Sequence, residues 1–313
     1  MISWAENGDA RFPEALAAVY PRVGRAWRLG VTGPPGAGKS TLVNELARLL
    51  RAEHLTVGIL AVDPSSPFSG GALLGDRIRM EGHAGDPGVF IRSMASRGSR
   101  GGIARASIDA CDVMDAFGFD EIVIETVGVG QAEYDVVSAA DTIAVVLCPG
   151  AGDGIQAMKA GLLEVADLLV VNKADLDGAD RLQVDLEDAL LLRAQQDGGW
   201  RAPVVRCSAG TGRGADDVLA GVRAHRRHLG EALRDERRRA KRLQQVQRMV
   251  SERLSESLWG ERGWRAAAQA LLDRDRTPYN VASELLDTLL GGIGARASGP
   301  HPEGGTEKEV GLS

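Results

Sequence analysis

The stretch Trp27-Arg28-Leu29-Gly30-Val31-Thr32-Gly33-Pro34-Pro35-Gly36-Ala37-Gly38-Lys39-Ser40-Thr41 decides the fold. Leu29–Thr32 reads as a short buried strand, and Gly33-Pro34-Pro35-Gly36-Ala37-Gly38-Lys39-Ser40 satisfies G-x-x-x-x-G-K-[ST]. Thr41–Glu53 then follows a helical pattern. Strand, glycine loop, Lys-Ser and helix in that order form a phosphate cradle. The glycines let successive backbone N–H groups converge on phosphate oxygens, and the helix N-terminus adds its positive dipole end. Lys39 is expected to reach the β- and γ-phosphates, and the Ser40 hydroxyl to ligate Mg²⁺. Gly33 through Thr41 are therefore candidate nucleotide contacts.

Outward from this loop, short apolar runs alternate with helical patterns. The expected strands are Leu29–Thr32, Val57–Val62, Val89–Arg92, Glu121–Glu125, Thr142–Leu147, Leu168–Val171 and Val204–Cys207. Several are near-continuous Val/Ile/Leu runs, as strands buried on both faces of a parallel sheet must be. Helical segments such as Ala179–Gln196 separate them. The pattern predicts an α/β, P-loop NTPase fold with a mostly parallel, doubly wound sheet.

Three carboxylates stand near that loop in the predicted fold. Asp63 closes the second strand, Asp76 sits in G-G-A-L-L-G-D-R, and Glu125 ends the very apolar E-I-V-I-E. An acid at the end of a buried strand is costly unless a cation offsets its desolvation, so all three are candidate direct or water-mediated Mg²⁺ ligands. Glu125-Thr126-Val127-Gly128 also resembles the D-x-x-G of nucleotide switches, in which the Gly amide senses the γ-phosphate. A glutamine commonly follows that glycine and orients the attacking water. Here Gln131 comes after Val129 and Gly130 and is the candidate for that task.

Asn172-Lys173-Ala174-Asp175 follows the strand Leu168–Val171. A carboxylate there accepts from guanine N1–H and the N2 amino group. Adenine offers neither, and would leave that buried acceptor unpaired. Asn172 would brace the loops, and the Lys173 stem would lie over the base plane. A further strand ends in Cys207-Ser208-Ala209-Gly210, where a backbone N–H could meet guanine O6. Together these loops make GTP/GDP, with Mg²⁺, the expected ligand.

Composition narrows the setting. The chain has 313 residues, 44% hydrophobic and 26% charged, with a formal net charge of -6. An acidic balance argues against a nucleic-acid partner. Cys111, Cys148 and Cys207 are too scattered for a disulfide framework, and no apolar run reaches membrane-spanning length. The sequence therefore predicts a soluble, cytoplasmic protein without a membrane contact. Its organisation reads as a short leader over 1–26, a nucleotide domain over 27–229, a helical C-terminal region over 230–293 and a disordered tail over 294–313. In the helical region the run R-R-R-A-K-R at 237–242 leads into a long helix. There Leu243, Val246, Val250, Leu254 and Leu258 form one apolar stripe. Such a stripe needs cover, either the chain's own domain or a second subunit.

The strings A-V-D-P-S-S at 61–66, G-G-A-L-L-G-D-R-I-R-M at 70–80, I-E-T-V-G-V-G-Q at 124–131 and T-P-Y-N-V-A at 277–282 resemble the MeaB family of G-protein chaperones. Its relatives are the methylmalonic aciduria type A protein and ArgK. The resemblance implies a homodimeric GTPase attending an adenosylcobalamin-dependent acyl-CoA mutase, gating cofactor loading and protecting or rescuing the mutase. It also implies that Gly150–Gly161 is a third switch, with Asp153, Gln156 and Lys159 as coupling residues. Two features depart from the family pattern: the segment before the first strand is short, and Pro149-Gly150-Ala151 precedes Gly152-Asp153.

Three other functions compete. A metallochaperone GTPase of the nickel-insertion type would want Cys/His ligands, and five His and three Cys show no such spacing. A small-molecule P-loop kinase has no reason to carry N-K-A-D. A binding module with negligible turnover would fit a displaced Gln131.

Overall fold

The computed structural model describes residues 1–64, 83, 85–96, 102–126, 138–150, 161–191, 199–261, 263–272 and 276–297. Among these, seven strands form one sheet: β1 Trp27–Thr32, β2 Val57–Pro64, β3 Val89–Ser96, β4 Glu121–Thr126, β5 Thr142–Leu147, β6 Leu168–Val171 and β7 Val204–Arg206. Their order is β3-β2-β4-β1-β5-β6-β7, and every neighbouring pair is parallel. The expected α/β P-loop architecture is the observed one. The strands extend the sequence reading slightly, since β1 begins at Trp27 and β3 runs on to Ser96.

Alternate residues of one strand serve opposite cores, as a pleat with period two requires. Val123, Ala144, Val146, Leu168 and Val170 pack with Leu42, Leu46, Val218 and Val222. Ile122, Ile124, Val145, Leu147, Leu169 and Val171 pack with Ala110, Met114 and Leu186. Helix Lys39–Ala52 and the first part of helix Ala215–Glu256 thus cover one face, while Gly102–Phe117 and Ala179–Leu191 cover the other. This explains the continuous apolar runs: every position is inside something.

The leading residues form helices Ile2–Asn7 and Phe12–Val19. Ala5 and Phe12 pack on Val113, and Glu6 pairs with Arg92 of β3 at 2.6 Å.

The helical run Ala215–Glu256 is broken at Gly230, whose φ of 58° and ψ of −171° lie outside the helical region. That backbone is one glycine adopts readily. Chain contacts divide the molecule into Met1–Arg242 and Leu243–Ser313. The basic run at 237–242 therefore does not start a helix. It lies inside one and belongs to the first unit, where its cations meet buried acids.

Arg238 pairs with Asp141 and donates to the carbonyls of Gly24 (3.2 Å) and Ala26 (2.7 Å). Lys241 donates to the Ala140 carbonyl at 2.5 Å, and the Arg242 guanidinium lies 4.8 Å from the Tyr20 ring centre. Beneath them Arg28 donates to Asp112 at 2.7 Å and Asp115 at 3.1 Å. Burial opposes the Arg28 charge, but Asp112 and Asp141 outweigh it and hold the guanidinium above its ordinary range.

The second unit carries helices Trp264–Leu272 and Pro278–Ala297. Leu243, Val246, Val250 and Leu254 are all exposed, so none of the described residues buries this part of the stripe. Of the composition-based boundaries, 294 falls inside the last helix, and residues 298–313 lie outside the described residues. No helix among the described residues is long and apolar enough to cross a membrane.

Candidate functional site

In a parallel sheet every strand ends at the same edge, and the described candidate residues stand at that edge. β1 delivers Gly33, β2 Asp63, β4 Glu125, β6 Asn172 and β7 Ser208. Gly33 has φ 138°, and a Cβ on it would stand 2.0 Å from the Val146 carbonyl oxygen of β5. Gly38 has φ 88°, and its Cβ would stand 2.3 Å from Asn172 Nδ2. Both positions require glycine on conformation and on space. The helix begins at Lys39, two residues earlier than the sequence suggests, so Lys39 and Ser40 lie in its first turn.

Lys39 is 5% exposed, and its Nζ donates to the carbonyls of Gly33 (2.8 Å) and Pro34 (2.9 Å). The lysine thus closes a ring over its own loop. Ser40 donates from Oγ to Glu125 Oε1 at 2.5 Å. Glu125 is only 6% exposed, so the structure brings these two predicted metal ligands together at the loop's edge. Their hard oxygens suit Mg²⁺, which takes one or two protein ligands and completes its shell from phosphate and water. Among the described residues no group of three or more His, Cys, Asp and Glu is placed to hold a metal. Such a cage is not what Mg²⁺ uses beside a nucleotide.

Asn172 ties three loops. Its Nδ2 donates to the carbonyls of Ala37 (2.8 Å) and Gly38 (3.4 Å), and its Oδ1 accepts the Ala209 N–H at 3.0 Å. Lys173 sits at φ 54°, unusual for a side-chain-bearing residue, and its Nζ reaches the Gly36 carbonyl at 2.7 Å. The strained turn aims the lysine stem along the cradle.

Asp175 is exposed, not buried as the discrimination argument assumed, so a base would itself have to cover it. A hydrogen bond from Ser208 holds its carboxyl below the usual range, with backbone N–H and the charges of Arg213 and Lys173 adding to the effect. It is a carboxylate acceptor at neutral pH. β7 stops at Arg206, and Ala209–Thr211 form a single 3₁₀ turn. The Ser208 N–H is committed to the Arg213 carbonyl and that of Ala209 to Asn172. Gly210 is exposed in the same turn.

Asp63 is the last residue but one of its strand, though its side chain lies outside the described residues, as do Asp76, Gly128, Gln131, Asp153, Gln156 and Lys159. Sequence reading missed Arg206, which donates to the Ala174 carbonyl at 3.2 Å and pairs with Asp180. It braces N-K-A-D from the neighbouring strand, and an arginine at a strand end carries no local signal for that. It also missed the link from Ser208 to Asp175.

Comparison with known proteins agrees with this geometry. A family model described as methylmalonyl-CoA mutase-associated GTPase MeaB matches residues 2–262, spanning both nucleotide loops. A protein of Pyrococcus abyssi named as a GTPase is 44% identical over 300 residues, covering 93% of this chain and 92% of its own. The mouse mitochondrial methylmalonic aciduria type A homolog is 40% identical over 195 residues, covering 61% of this chain and 47% of its own. Among solved structures, one titled as an LAO/AO transport system kinase superposes with a TM-score of 0.69 at 27% identity, covering 92% of this chain and 96% of that one. The chain is a guanine-nucleotide-binding P-loop GTPase, and it belongs to the MeaB family of methylmalonyl-CoA mutase-associated GTPases.

Proposed function

We propose that this GTPase acts as a G-protein chaperone for an adenosylcobalamin-dependent acyl-CoA mutase, coupling GTP hydrolysis to cofactor loading and to protection or reactivation of the mutase. The observation that carries the reading is a family match running unbroken from the leader through both nucleotide loops. The family's own description names the mutase.

In this reading Lys39 swings from the Gly33 and Pro34 carbonyls to the β- and γ-phosphates. Gly33–Thr41 supplies backbone N–H groups to them. Ser40 and Glu125, with Asp63 and Asp76, hold Mg²⁺ directly or through water. When bound, the ion neutralises charge developing on the phosphates. Asp175 reads the base edge, the Lys173 stem lies on the base plane, and the turn at Ser208–Gly210 faces guanine O6. Gly128 senses the γ-phosphate and Gln131 orients water, while Asp153, Gln156 and Lys159 relay the state to the mutase.

The exposed apolar stripe supports a homodimer. All three cysteines are free and buried, which supports a reducing, cytoplasmic setting.

The test is phosphate release at fixed GTP with increasing mutase holoenzyme. Stimulation that saturates with mutase, and is weaker in Asp153→Ala or Lys159→Ala, is the expected result. A rate indifferent to mutase overturns the chaperone role. Phosphate appearing on a small-molecule acceptor instead of in solution would favour the kinase that the structural relative's title names.

A further inference from the structure

Thr32 and Thr126 end β1 and β4, and neither has any solvent exposure. The Thr126 hydroxyl donates to Thr32 Oγ1 at 3.0 Å. The backbone register between these strands runs from Trp27↔Glu121 to Val31↔Glu125 and stops there. One residue further on, Thr32 aligns with Val145 of β5 and Thr126 with Val62 of β2. The hydroxyl bond therefore joins β1 and β4 one step past the last pair of their ladder.

Both residues adjoin the candidate site in sequence. Thr32 precedes Gly33, whose carbonyl holds Lys39 and whose Cα fits against the Val146 carbonyl. Thr126 follows Glu125, which accepts from Ser40, and opens the segment toward Gly128. Ile122, Val123 and Ile124 before it are apolar and buried. Valine would fill the same space with better strand propensity and no hydroxyl to satisfy. A threonine pair in this place therefore needs a reason beyond packing.

We propose that the Thr126–Thr32 hydroxyl pair is a positioning element for GTP hydrolysis, fixing the end of β4, with Glu125, against the phosphate loop that leaves β1. Neither hydroxyl touches the nucleotide. They act through Gly33 and Glu125, so the inference rests on Gly33–Thr41 being the phosphate site. Misplacing catalytic groups by a fraction of an ångström lowers turnover far more than binding, because only the reacting geometry demands that accuracy.

The test compares Thr126→Val, Thr126→Ser and Thr32→Val in the full chain. GTP affinity is read by fluorescent-analogue titration, and kcat and KM by phosphate release. Thr126→Val is expected to lower kcat at least about tenfold with affinity and KM within about twofold. Thr126→Ser, which keeps the hydroxyl, should stay within about threefold of the parent. Thr32→Val should repeat the kcat loss, and it serves as the decisive variant where Thr126→Val does not fold. Parental kcat in the valine variants, or a serine variant as impaired as valine, overturns the pair. Affinity falling in step with kcat also overturns it, since that marks a structural role. A parent protein that binds no GTP would instead overturn the phosphate-site reading itself.

Discussion

Arg238 grips Asp141 with Nε at 2.7 Å and with a terminal nitrogen, across 97 residues of sequence. The arginine is 13% exposed and the aspartate 5%. Asp141 also accepts the Arg28 backbone N–H at 3.0 Å. Burial raises the Asp141 pKa, but the Arg238 hydrogen bonds and charge outweigh it and hold the carboxyl below its ordinary range. Truncating Arg238 removes both of its hydrogen bonds to this buried acid, and its bonds to the Gly24 and Ala26 carbonyls. Arg238→Ala should lower the unfolding free energy by about 3 kcal/mol, the scale for a broken buried pair. Urea denaturation measures it. GTP affinity should not change, because the clasp lies at the sheet edge opposite the phosphate loop.

The clasp also marks where sequence reading stops. The strands were legible because β4, β5 and β6 are Val/Ile/Leu runs that only a doubly covered sheet explains. The cradle and the N-K-A-D turn were legible because backbone chemistry ties residue type to position at Gly38 and Asn172. Long-range pairing leaves no such mark. Nothing in R-R-R-A-K-R tells Arg238 from its neighbours, and nothing around Arg206 says that it reaches Ala174. The Thr32–Thr126 contact depends on a strand register that neither strand encodes alone. Asp175 shows a different limit: N-K-A-D carries no signal that its carboxylate is exposed in the free chain.

Base choice is tested at Asp175. Replacing it with Asn removes one acceptor for the guanine N2 amino group and sets an amide against it. Asp175→Asn should weaken GTP binding on the order of a hundredfold. Xanthosine triphosphate, whose C2 carbonyl accepts from the new amide, should bind the variant better than GTP does. Titration with both nucleotides decides it, and equal affinity of the parent for ATP and GTP would contradict the assignment.

Metal dependence is tested at Glu125. Its carboxylate is nearly buried and accepts from Ser40. Glu125→Ala should raise the Mg²⁺ concentration giving half-maximal hydrolysis while nucleotide still binds. Lys39→Ala should abolish hydrolysis outright, by removing a charge that stabilises the transferring phosphoryl group. A Glu125→Ala protein that unfolds yet keeps the parent Mg²⁺ response in its folded fraction would assign this acid to structure alone.

Assembly is tested on the stripe. Val246 and Val250 are 54% and 51% exposed, so an acid there changes the folded chain by no more than about 0.5 kcal/mol. If two copies bury the stripe, Val246→Glu with Val250→Glu should give a monomer by light scattering, with GTP affinity retained. A parent already monomeric at micromolar concentration would refute the homodimer.

His225 supplies a pH prediction with a definite sign. The ring has no exposure. Trp27 Nε1 donates to Thr142 Oγ1 at 3.2 Å, and that oxygen lies 2.8 Å from His225 Nδ1. Nε2 stands 3.3 Å from Asp167 Oδ1 without the alignment of a hydrogen bond. Burial pushes the His225 pKa down from 6.5 to about 3, helped by Arg237 and His228 and opposed by Asp141. Between those values the unfolded chain binds a proton that the native chain refuses. This contribution is therefore fully present above pH 6.5 and is lost as pH falls toward 3, by about 1.4 kcal/mol per unit. Asp109 and Glu121 act in the opposite sense. Burial raises each to about 7, so their native carboxyls keep protons that the unfolded chain releases. The clean readout is thus a difference against His225→Gln, which cannot titrate and shares both carboxyls. Between pH 7 and pH 5 the parent should lose about 2 kcal/mol more unfolding free energy than the variant. Parallel urea-denaturation profiles for the two proteins over that range would show that His225 takes up its proton in the native state.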